Sequence, residues 1–396
     1  MRVMIVSAGG LGHLYPLLPL AYQLRSSGVD VVLAVPEHSV GPASRLGLAV
    51  IALSAPGVST PSPETKAAQR ACPPYRRGRL VLGRFLADSV AQLPALRAAI
   101  RDWRPDVLVR DATAFAAWLA GEELDVPVAV FDHAGTPVRL LAATNGDLFA
   151  DARRDAGLSP DPHLRSLNHW LHLLGAPPRW FTQHSFGPTT HLFQPPLDMP
   201  VPREQPPWLR ELDPARPFVY VTLGTVHNDT PGVFDALLDV LADEPRLQVL
   251  ATLGPGTDTD RFDALPAHVR VESFVPQPLV LPHVDMVICH WGYGTLMGPL
   301  CHGVPMVLLP LAAGDSASVA TRIERLGVGV VLPEQNATKA AIADAVTSVL
   351  TEFRYRDAAR LVARSVRELP PFGCAAPLVE QLARTHRPVL NPAFGR

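Results

Sequence analysis

The feature that most constrains the fold of this chain is a repeated alternation of short apolar runs with segments of helical spacing. Residues 3–6 form an apolar run, residues 8–12 a glycine-rich turn, and apolar residues recur on one helical face over 14–24. A second apolar run follows at 29–35. Because a strand reached through a helical crossover lies parallel to the strand before it, this order predicts a parallel sheet covered by helices.

The alternation continues through the first half of the chain, stops, and then resumes. Between residues 194 and 217, eight prolines leave few backbone donors for a helix or a sheet, which indicates a linker. Helices are predicted at 86–100, 114–121 and 234–241, and further strands at 106–109, 128–131, 218–223, 248–252, 286–289, 306–309 and 328–332.

This pattern predicts an α/β protein with two Rossmann-like, doubly wound domains that face each other across a cleft. A length of 396 residues fits two domains at roughly 150 residues each. We expect an N-terminal domain over 1–200, a proline-rich linker over 201–217, a second domain over 218–375, and a tail over 376–396 for which a helix returning to the first domain is one option. Ligands bind such sheets outside the carboxyl ends of the strands, here the loops after Val6, Val109, Leu223 and Cys289.

Composition and charge argue against several classes of protein. A net charge of -2 without a long basic run gives little attraction for nucleic acid. The four cysteines lie far apart and lack the spacing of a zinc site or a disulfide framework, so we expect reduced thiols and no metal. No apolar run approaches the roughly 20 residues that cross a bilayer, and no signal-peptide core opens the chain. We therefore expect a cytoplasmic protein without a membrane or nucleic-acid partner.

The most informative local motif lies in the second half of the chain. The apolar run 286–289 ends at His290, and Gly292, Gly294 and Thr295 then lead into a helix predicted from Thr295 onward. Glycines allow backbone N–H groups to approach a ligand, and the positive end of a helix favours a diphosphate. A glycine turn capped by a threonine is the alternative for this motif taken alone.

Further motifs stand in a fixed order around this turn. Phe274-Val-Pro-Gln277 precedes it, and Gly303-Val-Pro305, Pro310 and Asp315 follow it. Gly9-Gly-Leu-Gly-His13 opens the chain, and Val221-Thr-Leu-Gly-Thr225 opens the second domain. Together they resemble the UDP-glycosyltransferase superfamily, in particular the bacterial enzymes that decorate natural products such as antibiotics. The resemblance spans essentially the whole chain and implies the GT-B fold.

The resemblance implies a donor site for a nucleotide-activated sugar, with no cofactor and no metal. Phe274 and Val275 would pack on the nucleobase, with Gln277 beside the base or the ribose. Asp315 and the adjacent Ser316 would lie at the sugar. The residues that would hold the diphosphate are Thr225, His290, Gly292, Gly294 and Thr295. In isolation, Phe274 is equally credible as a core residue and Asp315 as a loop cap.

Two departures from the family pattern bear on the donor. Gly298 stands where the family often has a glutamate that binds both ribose hydroxyls, and Ser316 stands where a glutamine usually follows the sugar-binding aspartate. Loss of the carboxylate fits a donor without a 2′-hydroxyl, and loss of the amide fits a sugar with fewer hydroxyls. Both departures favour a dTDP-deoxysugar.

His13 and Asp111 are the candidate catalytic pair. His13 follows a glycine turn at a helix start, where the dipole disfavours imidazolium, and Asp111 follows the predicted strand 106–109. The resemblance implies that His13 deprotonates the acceptor hydroxyl, that Asp111 orients it, and that transfer inverts the anomeric carbon. A helix cap and a turn residue are the alternative reading of the pair.

The acceptor is expected to be a small-molecule aglycone held by the first domain, over 55–87 and 134–186. His133 follows a strand into a loop and is a candidate acceptor contact. His169 and His172 are predicted to share a face of a surface or acceptor-side helix, without a convincing metal set. Five aromatic residues would either line an apolar pocket or belong to the core: Phe85, Phe149, Trp170, Trp180 and Phe181.

Two alternative functions stay open on the sequence. A GT-B sugar-nucleotide 2-epimerase shares the architecture and the diphosphate turn, but it would need paired acids in place of one His–Asp pair. An inactive homologue that serves as a partner of another transferase is the second, and intact His13 and Asp111 argue against it. The sequence leaves both a monomer and a homodimer open.

Overall fold

The chain forms two compact units in a computed structural model. The structure describes all residues except 60–61, 63, 66–67, 69–71, 134, 182–185, 198–204, 225–232, 255–258, 263, 291, 310–315 and 395–396. The first unit comprises Met1–Pro196 and Leu369–Arg396, and the second comprises Leu197–Glu368. The division therefore falls at Glu368, earlier than the expected 375, and the expected linker 201–217 belongs with the second unit.

The first unit contains a seven-stranded sheet in the order β3-β2-β1-β4-β5-β6-β7, with every pair of neighbours parallel. In register, Val6 of β1 lies beside Arg110 of β4, so the loops after these two strands leave the same edge of the sheet. The strands are β1 Arg2–Val6, β2 Asp30–Pro36, β3 Ala49–Leu53, β4 Val107–Asp111, β5 Val128–Asp132, β6 Leu171–Gly175 and β7 Thr190–Phe193.

Helices cover this sheet and bury its apolar side chains. Phe115, Trp118 and Phe149 pack edge to face beneath one layer of helices, which adds about 0.5–1.5 kcal/mol per ring pair to the burial of their surface. Before the C-terminal segment, the α-helices of this unit are Leu11–Leu14, Leu18–Ser26, Val40–Ser44, Pro74–Trp103, Phe115–Glu123 and Val138–Asp155.

The C-terminal segment belongs to the first unit. Its helix Ala376–Thr385 follows Phe372, whose ring packs 4.7 Å from that of Phe131 in β5. The backbone N–H of Gln194 donates to the carbonyl of Pro370, and the side-chain amide of Asn391 donates to the carbonyl of Thr190. These contacts hold the end of the chain against the β5, β6 and β7 side of the sheet.

The prediction of a helical face shared by His169 and His172 is wrong. His172 lies in β6, which is buried along its whole length, and its imidazole pairs with other buried polar groups. The three-residue spacing between His169 and His172 resembles that of one helical face. The strand around His172, with the run Leu-His-Leu-Leu, is too short to show the alternation of a strand.

The second unit contains a six-stranded, wholly parallel sheet in the order β10-β9-β8-β11-β12-β13. The strands are β8 Phe218–Thr222, β9 Gln248–Thr252, β10 Val269–Glu272, β11 Met286–Cys289, β12 Met306–Leu308 and β13 Gly329–Val331. Its α-helices are Val233–Ala242, Gln277–Val280, Tyr293–His302, Ser316–Leu326, Lys339–Thr351 and Phe353–Arg367. Across the described parts of both units, no helix combines the length and the apolar character needed to span a membrane.

Candidate functional site

The structure brings His13 and Asp111 together at the shared edge of β1 and β4. His13 lies in the short helix Leu11–Leu14, and Asp111 is the last residue of β4. Nδ1 of His13 is 3.4 Å from Oδ1 of Asp111. Gly9 makes the turn between β1 and this helix possible, because its φ of +98° and the close approach of His38 and Ser39 exclude a side chain there.

A network of donors fixes the carboxylate of Asp111. Its Oδ2 accepts from the N–H of Ala8 at 2.7 Å, and its Oδ1 accepts from the N–H of Thr113 at 2.8 Å and from the Thr113 hydroxyl at 2.6 Å. Burial alone would raise the pKa of Asp111, but His13 and these donors outweigh it and hold the pKa well below its usual range. Asp111 is therefore a buried, ionised carboxylate.

The same network decides which ring nitrogen of His13 is protonated. Nδ1 lies 3.2 Å from the Thr113 hydroxyl oxygen, and the hydrogen of that hydroxyl is donated to Asp111. Both oxygens near Nδ1 therefore accept, so Nδ1 carries the hydrogen and Nε2 keeps its lone pair. This is the tautomer that a general base needs. Thr113 was missed from the sequence, where nothing distinguishes it from other residues of a turn.

The environment of His13 shifts its pKa in two opposing ways. Partial burial, which leaves 26% of the side chain accessible, lowers the pKa, whereas the hydrogen bond and charge of Asp111 raise it. The result is a pKa above 6.5.

Two aromatic rings flank the imidazole of His13. The ring of His133 stands 5.4 Å away at an interplanar angle of 80°, and the ring of Phe85 stands 5.6 Å away at 61°. Burial and then the nearby His13 lower the pKa of His133, so His133 is a neutral imidazole. The structure thus places this predicted acceptor contact directly beside the candidate base.

The remaining aromatic residues proposed for an acceptor pocket belong to the interior. Phe149, Trp180 and Phe181 are buried, and Trp170 is partly buried against the same core. Of the five, Phe85 is the one whose contact with His13 is seen among the described residues. The five aromatic residues therefore neither all line an acceptor pocket nor all belong to the core.

In the second unit, His290 lies at the end of β11 between two glycines. A Cβ atom on Gly224 would stand 2.4 Å from the imidazole Cε1 of His290, and one on Gly292 would stand 2.5 Å from its Nε2. The absence of side chains at these two positions therefore gives the buried imidazole its place. By contrast, a Cβ atom on Gly294 would meet nothing within 4 Å.

The helix after this turn is Tyr293–His302, which begins earlier than the predicted start at Thr295. The Thr295 hydroxyl donates to the carbonyl of Gly292 at 2.8 Å and lies 3.2 Å from Nδ1 of His290. Its hydrogen bonds join the turn to the first turn of the helix. The N–H groups of that first turn point outward along the helix axis, and together with the helix dipole they make the segment suitable for an anion.

An exposed aromatic side chain, that of Phe274, precedes this turn along the chain. Phe274 is 45% exposed, so it is not a core residue, whereas Val275 is buried. Phe274 and Val275 line an open recess with Trp208 and Leu279. An exposed phenyl ring at the rim of a recess offers a flat apolar surface on which a nucleobase can stack.

Gln277 and Gly298 are neighbours in the structure. A Cβ atom on Gly298 would stand 3.0 Å from Oε1 of Gln277 and 2.8 Å from Cδ1 of Leu281. Gln277 also hydrogen-bonds to the buried hydroxyl of Tyr220. The space beside Gly298 is therefore already filled, and a longer side chain would displace both neighbours.

Three of the sequence-predicted residues lie wholly or partly outside the described residues. Thr225 and Asp315 fall in the undescribed segments. Ser316 begins the helix Ser316–Leu326, but its side chain is not described.

Comparison with known proteins extends these observations. Residues 237–380 match the model of the Erythromycin biosynthesis protein CIII-like, C-terminal domain. The 4'-demethylrebeccamycin synthase of Lentzea aerocolonigenes is 31% identical over 406 residues, which cover 91% of this chain and 94% of that protein. The TDP-daunosamine transferase of Streptomyces peucetius is 27% identical and covers 98% of both.

The fold has close counterparts among solved structures. A spinosyn rhamnosyltransferase complexed with thymidine diphosphate superimposes with a TM-score of 0.76 at 23% identity. The superposition covers 96% of this chain and 100% of that one. The fold is GT-B. Given the 31% identity to a relative that matches it along nearly its whole length, this chain belongs to the bacterial natural-product branch of the GT-B glycosyltransferases and is a glycosyltransferase.

Proposed function

We propose that the protein transfers a deoxysugar from a dTDP donor to a hydroxyl of a small-molecule natural-product aglycone, with inversion at the anomeric carbon. The observation that carries this proposal is the His13–Thr113–Asp111 network, in which Nδ1 is hydrogen-bonded and Nε2 is free to accept a proton. The names of relatives support the substrate classes, since one is a TDP-daunosamine transferase and another a rhamnosyltransferase bound to thymidine diphosphate.

In the proposed reaction, Nε2 of His13 takes the proton of the acceptor hydroxyl as its oxygen attacks the anomeric carbon. The bond from that carbon to the donor diphosphate breaks, and its electron pair leaves with the diphosphate. The products are the glycoside with inverted configuration, dTDP and a protonated His13. The buried charge of Asp111 stabilises the imidazolium, and proton removal of this kind contributes roughly 10²–10⁴-fold.

The leaving diphosphate is assigned to the start of the helix Tyr293–His302. A Cβ atom on Gly294 would meet nothing within 4 Å, and Gly292 and Thr295 shape the turn that precedes the N–H groups of the helix start. Preorganised donors and a helix dipole stabilise the charge that develops on the leaving group. We propose that they do so without a metal ion, so transfer should continue in EDTA.

The donor assignment rests on the filled space beside Gly298. Gln277 and Leu281 flank Gly298, where the family pattern often has a ribose-binding carboxylate, and Gly298 itself offers no carboxylate to a 2′-hydroxyl. A nucleotide with deoxyribose has no 2′-hydroxyl, so it loses no hydrogen bond through the absence of that carboxylate. We therefore assign the nucleotide as dTDP, with Phe274 as the surface for the thymine ring.

Calorimetric titration with dTDP, dUDP and UDP tests the nucleotide. Comparing dUDP with UDP isolates the 2′-hydroxyl, and comparing dTDP with dUDP isolates the methyl group of thymine. We expect dTDP to bind most tightly and UDP to gain nothing over dUDP. Tighter binding of UDP than of dUDP would contradict the donor assignment.

Product analysis tests the reaction. The enzyme is incubated with a dTDP-deoxysugar and a panel of hydroxylated polyketide and indole aglycones, and adducts are detected by mass. NMR of the product then gives the anomeric configuration. An adduct with retained configuration contradicts the mechanism, and an epimerised donor without any adduct contradicts the transfer itself.

A further inference from the structure

A second histidine–aspartate pair lies buried on β5 and β6, the two strands that follow β4 in the sheet. Nε2 of His172 in β6 is 3.1 Å from Oδ2 of Asp132, the last residue of β5, and Nδ1 of His172 is 2.9 Å from the hydroxyl oxygen of Thr190 in β7. Asp132 is 7% exposed and His172 is 5% exposed. Burying such a pair costs free energy, so its presence requires an explanation beyond stability.

Asp132 begins the loop that carries His133. Its second oxygen, Oδ1, accepts from the N–H of Gly135 at 2.8 Å, which closes the loop onto the end of β5. Gly135 has a φ of +59°, and a Cβ atom there would stand 2.0 Å from the ring of Phe181, which is itself buried. The loop is thus clamped between Phe181 and the carboxylate, which leaves little freedom for the backbone of His133.

The other end of this network reaches the C-terminal segment. Thr190 receives a hydrogen bond at its carbonyl from the side-chain amide of Asn391, at 2.7 Å. His172 and Thr190 are also cross-strand partners in the β6–β7 ladder. A continuous set of hydrogen bonds therefore runs from Asn391 through Thr190 and His172 to Asp132.

The charge of Asp132 is retained in this setting. Burial would raise its pKa, but the hydrogen bond and charge of His172, helped by the N–H of Gly135, lower it to about 2. A carboxylate that is ionised at neutral pH accepts from His172 and Gly135 together, with charge-assisted hydrogen bonds that are stronger than neutral ones.

We propose that Asp132 and His172 are positioning residues that hold the His133 loop so that the His133 ring stands against His13. Neither residue touches His13, and their effect passes through the edge-to-face contact of the two imidazoles, 5.4 Å apart. His133 limits the orientations of the His13 ring and presents a neutral imidazole to the acceptor hydroxyl. The proposal rests on the role of His13 as the base.

The test compares Asp132→Ala, Asp132→Asn and Glu122→Ala. Asp132→Ala removes both hydrogen bonds of the carboxylate, whereas Asp132→Asn keeps an acceptor for the N–H of Gly135. Glu122→Ala breaks the ion pair with the buried Arg153 elsewhere in the same unit, so it lowers stability without touching the loop. Thermal unfolding of all three variants separates loss of fold from loss of position.

Two readouts are expected to move in Asp132→Ala. Misplacing a catalytic group by about 1 Å costs roughly 10²-fold, so kcat/KM for the acceptor should fall by about that factor while dTDP affinity stays unchanged. NMR titration of ¹⁵N-histidine-labelled enzyme should show a higher pKa for His133 in Asp132→Ala than in Asp132→Asn, because both variants lose the Asp132 charge that raises this pKa and only in Asp132→Ala does the loop open to water. Asp132→Asn should restore most of kcat/KM and keep the His133 ring buried, and Glu122→Ala should change neither kcat/KM nor the pKa of His133.

The NMR readout is independent of turnover, so this proposal and the proposed function can fail separately. Equal pKa values of His133 in folded Asp132→Ala and Asp132→Asn would overturn the positioning role. So would an equal loss of kcat/KM in Glu122→Ala. Loss of the base role of His13, by contrast, would appear as near-normal transfer in a His13 variant while the response of His133 to Asp132→Ala persisted.

Discussion

Thr113 donates its hydroxyl hydrogen to Oδ1 of Asp111 across 2.6 Å, and its oxygen lies 3.2 Å from Nδ1 of His13. One hydroxyl therefore contacts both members of the proposed catalytic pair at once. The hydroxyl keeps Asp111 hydrogen-bonded when His13 is neutral. Its oxygen and that of Asp111 both accept from the Nδ1 hydrogen of His13, which fixes the tautomer.

Replacing Thr113 with valine is expected to lower kcat/KM for the acceptor by about tenfold. A hydrogen bond to a charged group contributes about 1.5–3 kcal/mol, and part of it is recovered by the direct contact of His13 with Asp111. Steady-state kinetics measure the loss, and Thr113→Ser is the control because it keeps the hydroxyl. Full activity of Thr113→Val, or a loss in Thr113→Ser as large as that in Thr113→Val, would contradict the role given to the hydroxyl.

The acid limb of the pH profile is expected to lie above 6.5. The base works only when Nε2 is unprotonated, and the charge of Asp111 raises the pKa of His13 above its ordinary value. In Asp111→Asn that contribution is lost, so the limb should move to lower pH while the plateau of kcat/KM falls, because the tautomer is no longer fixed. A limb that stays in place in Asp111→Asn would show that another group titrates.

Gly292→Ala and Gly294→Ala form a matched pair in the diphosphate turn. The new methyl group at position 292 would overlap the imidazole of His290, whereas the one at position 294 meets no protein atom within 4 Å. We expect Gly292→Ala to lower the unfolding temperature and to weaken dTDP binding at least tenfold.

In Gly294→Ala the unfolding temperature should stay near that of the wild type, and any loss of dTDP affinity would report close approach of the ligand to the backbone. Calorimetry and thermal unfolding measure both variants. A normal unfolding temperature together with normal dTDP affinity in Gly292→Ala would contradict the role of the two glycines that flank His290.

Introducing glutamate at position 298 is expected to destabilise the protein rather than to create UDP binding. The side chain would enter space held by Gln277 and Leu281, and overpacking of this kind costs about 1–3 kcal/mol. Adding Leu281→Ala makes room, so the double variant should gain affinity for UDP relative to dUDP, while loss of the buried Leu281 side chain keeps it less stable than the wild type. Denaturant unfolding and calorimetry check the two effects. A gain of UDP affinity in the single variant would contradict the account.

Much of the fold was predictable because its strands are buried on both faces. The runs at β1, β9 and β11 are wholly or almost wholly apolar, and the structure confirms strands there. β3 was not predicted although its residues are apolar. Three further strands were missed because they carry polar residues: His172 in β6, Thr190 in β7, and the charged residues of Val-Arg-Val-Glu in β10. Each polar group there interrupts the apolar pattern on which the prediction relied.

The candidate site was predictable only where a residue directly ends a strand or opens a helix. His13, Asp111 and His290 fit that rule, since topology alone brings strand ends to one edge of the sheet. Thr113 and the Asp132–His172 pair depend on side-chain distances between residues remote in sequence, which a local pattern does not encode. Exposure of Phe274 was likewise undecidable, because an apolar residue before a turn fits a core and a binding surface equally well.

The most direct test of the account is single-turnover transfer by His13→Ala, measured beside dTDP affinity in the same preparation. His163→Ala is the matched control, since it removes an exposed imidazole from the same unit. We expect transfer in His13→Ala to fall by about 10²–10⁴-fold with dTDP affinity and unfolding temperature unchanged, and the control to match the wild type. Near-normal transfer by folded His13→Ala would contradict the assignment of His13 as the base.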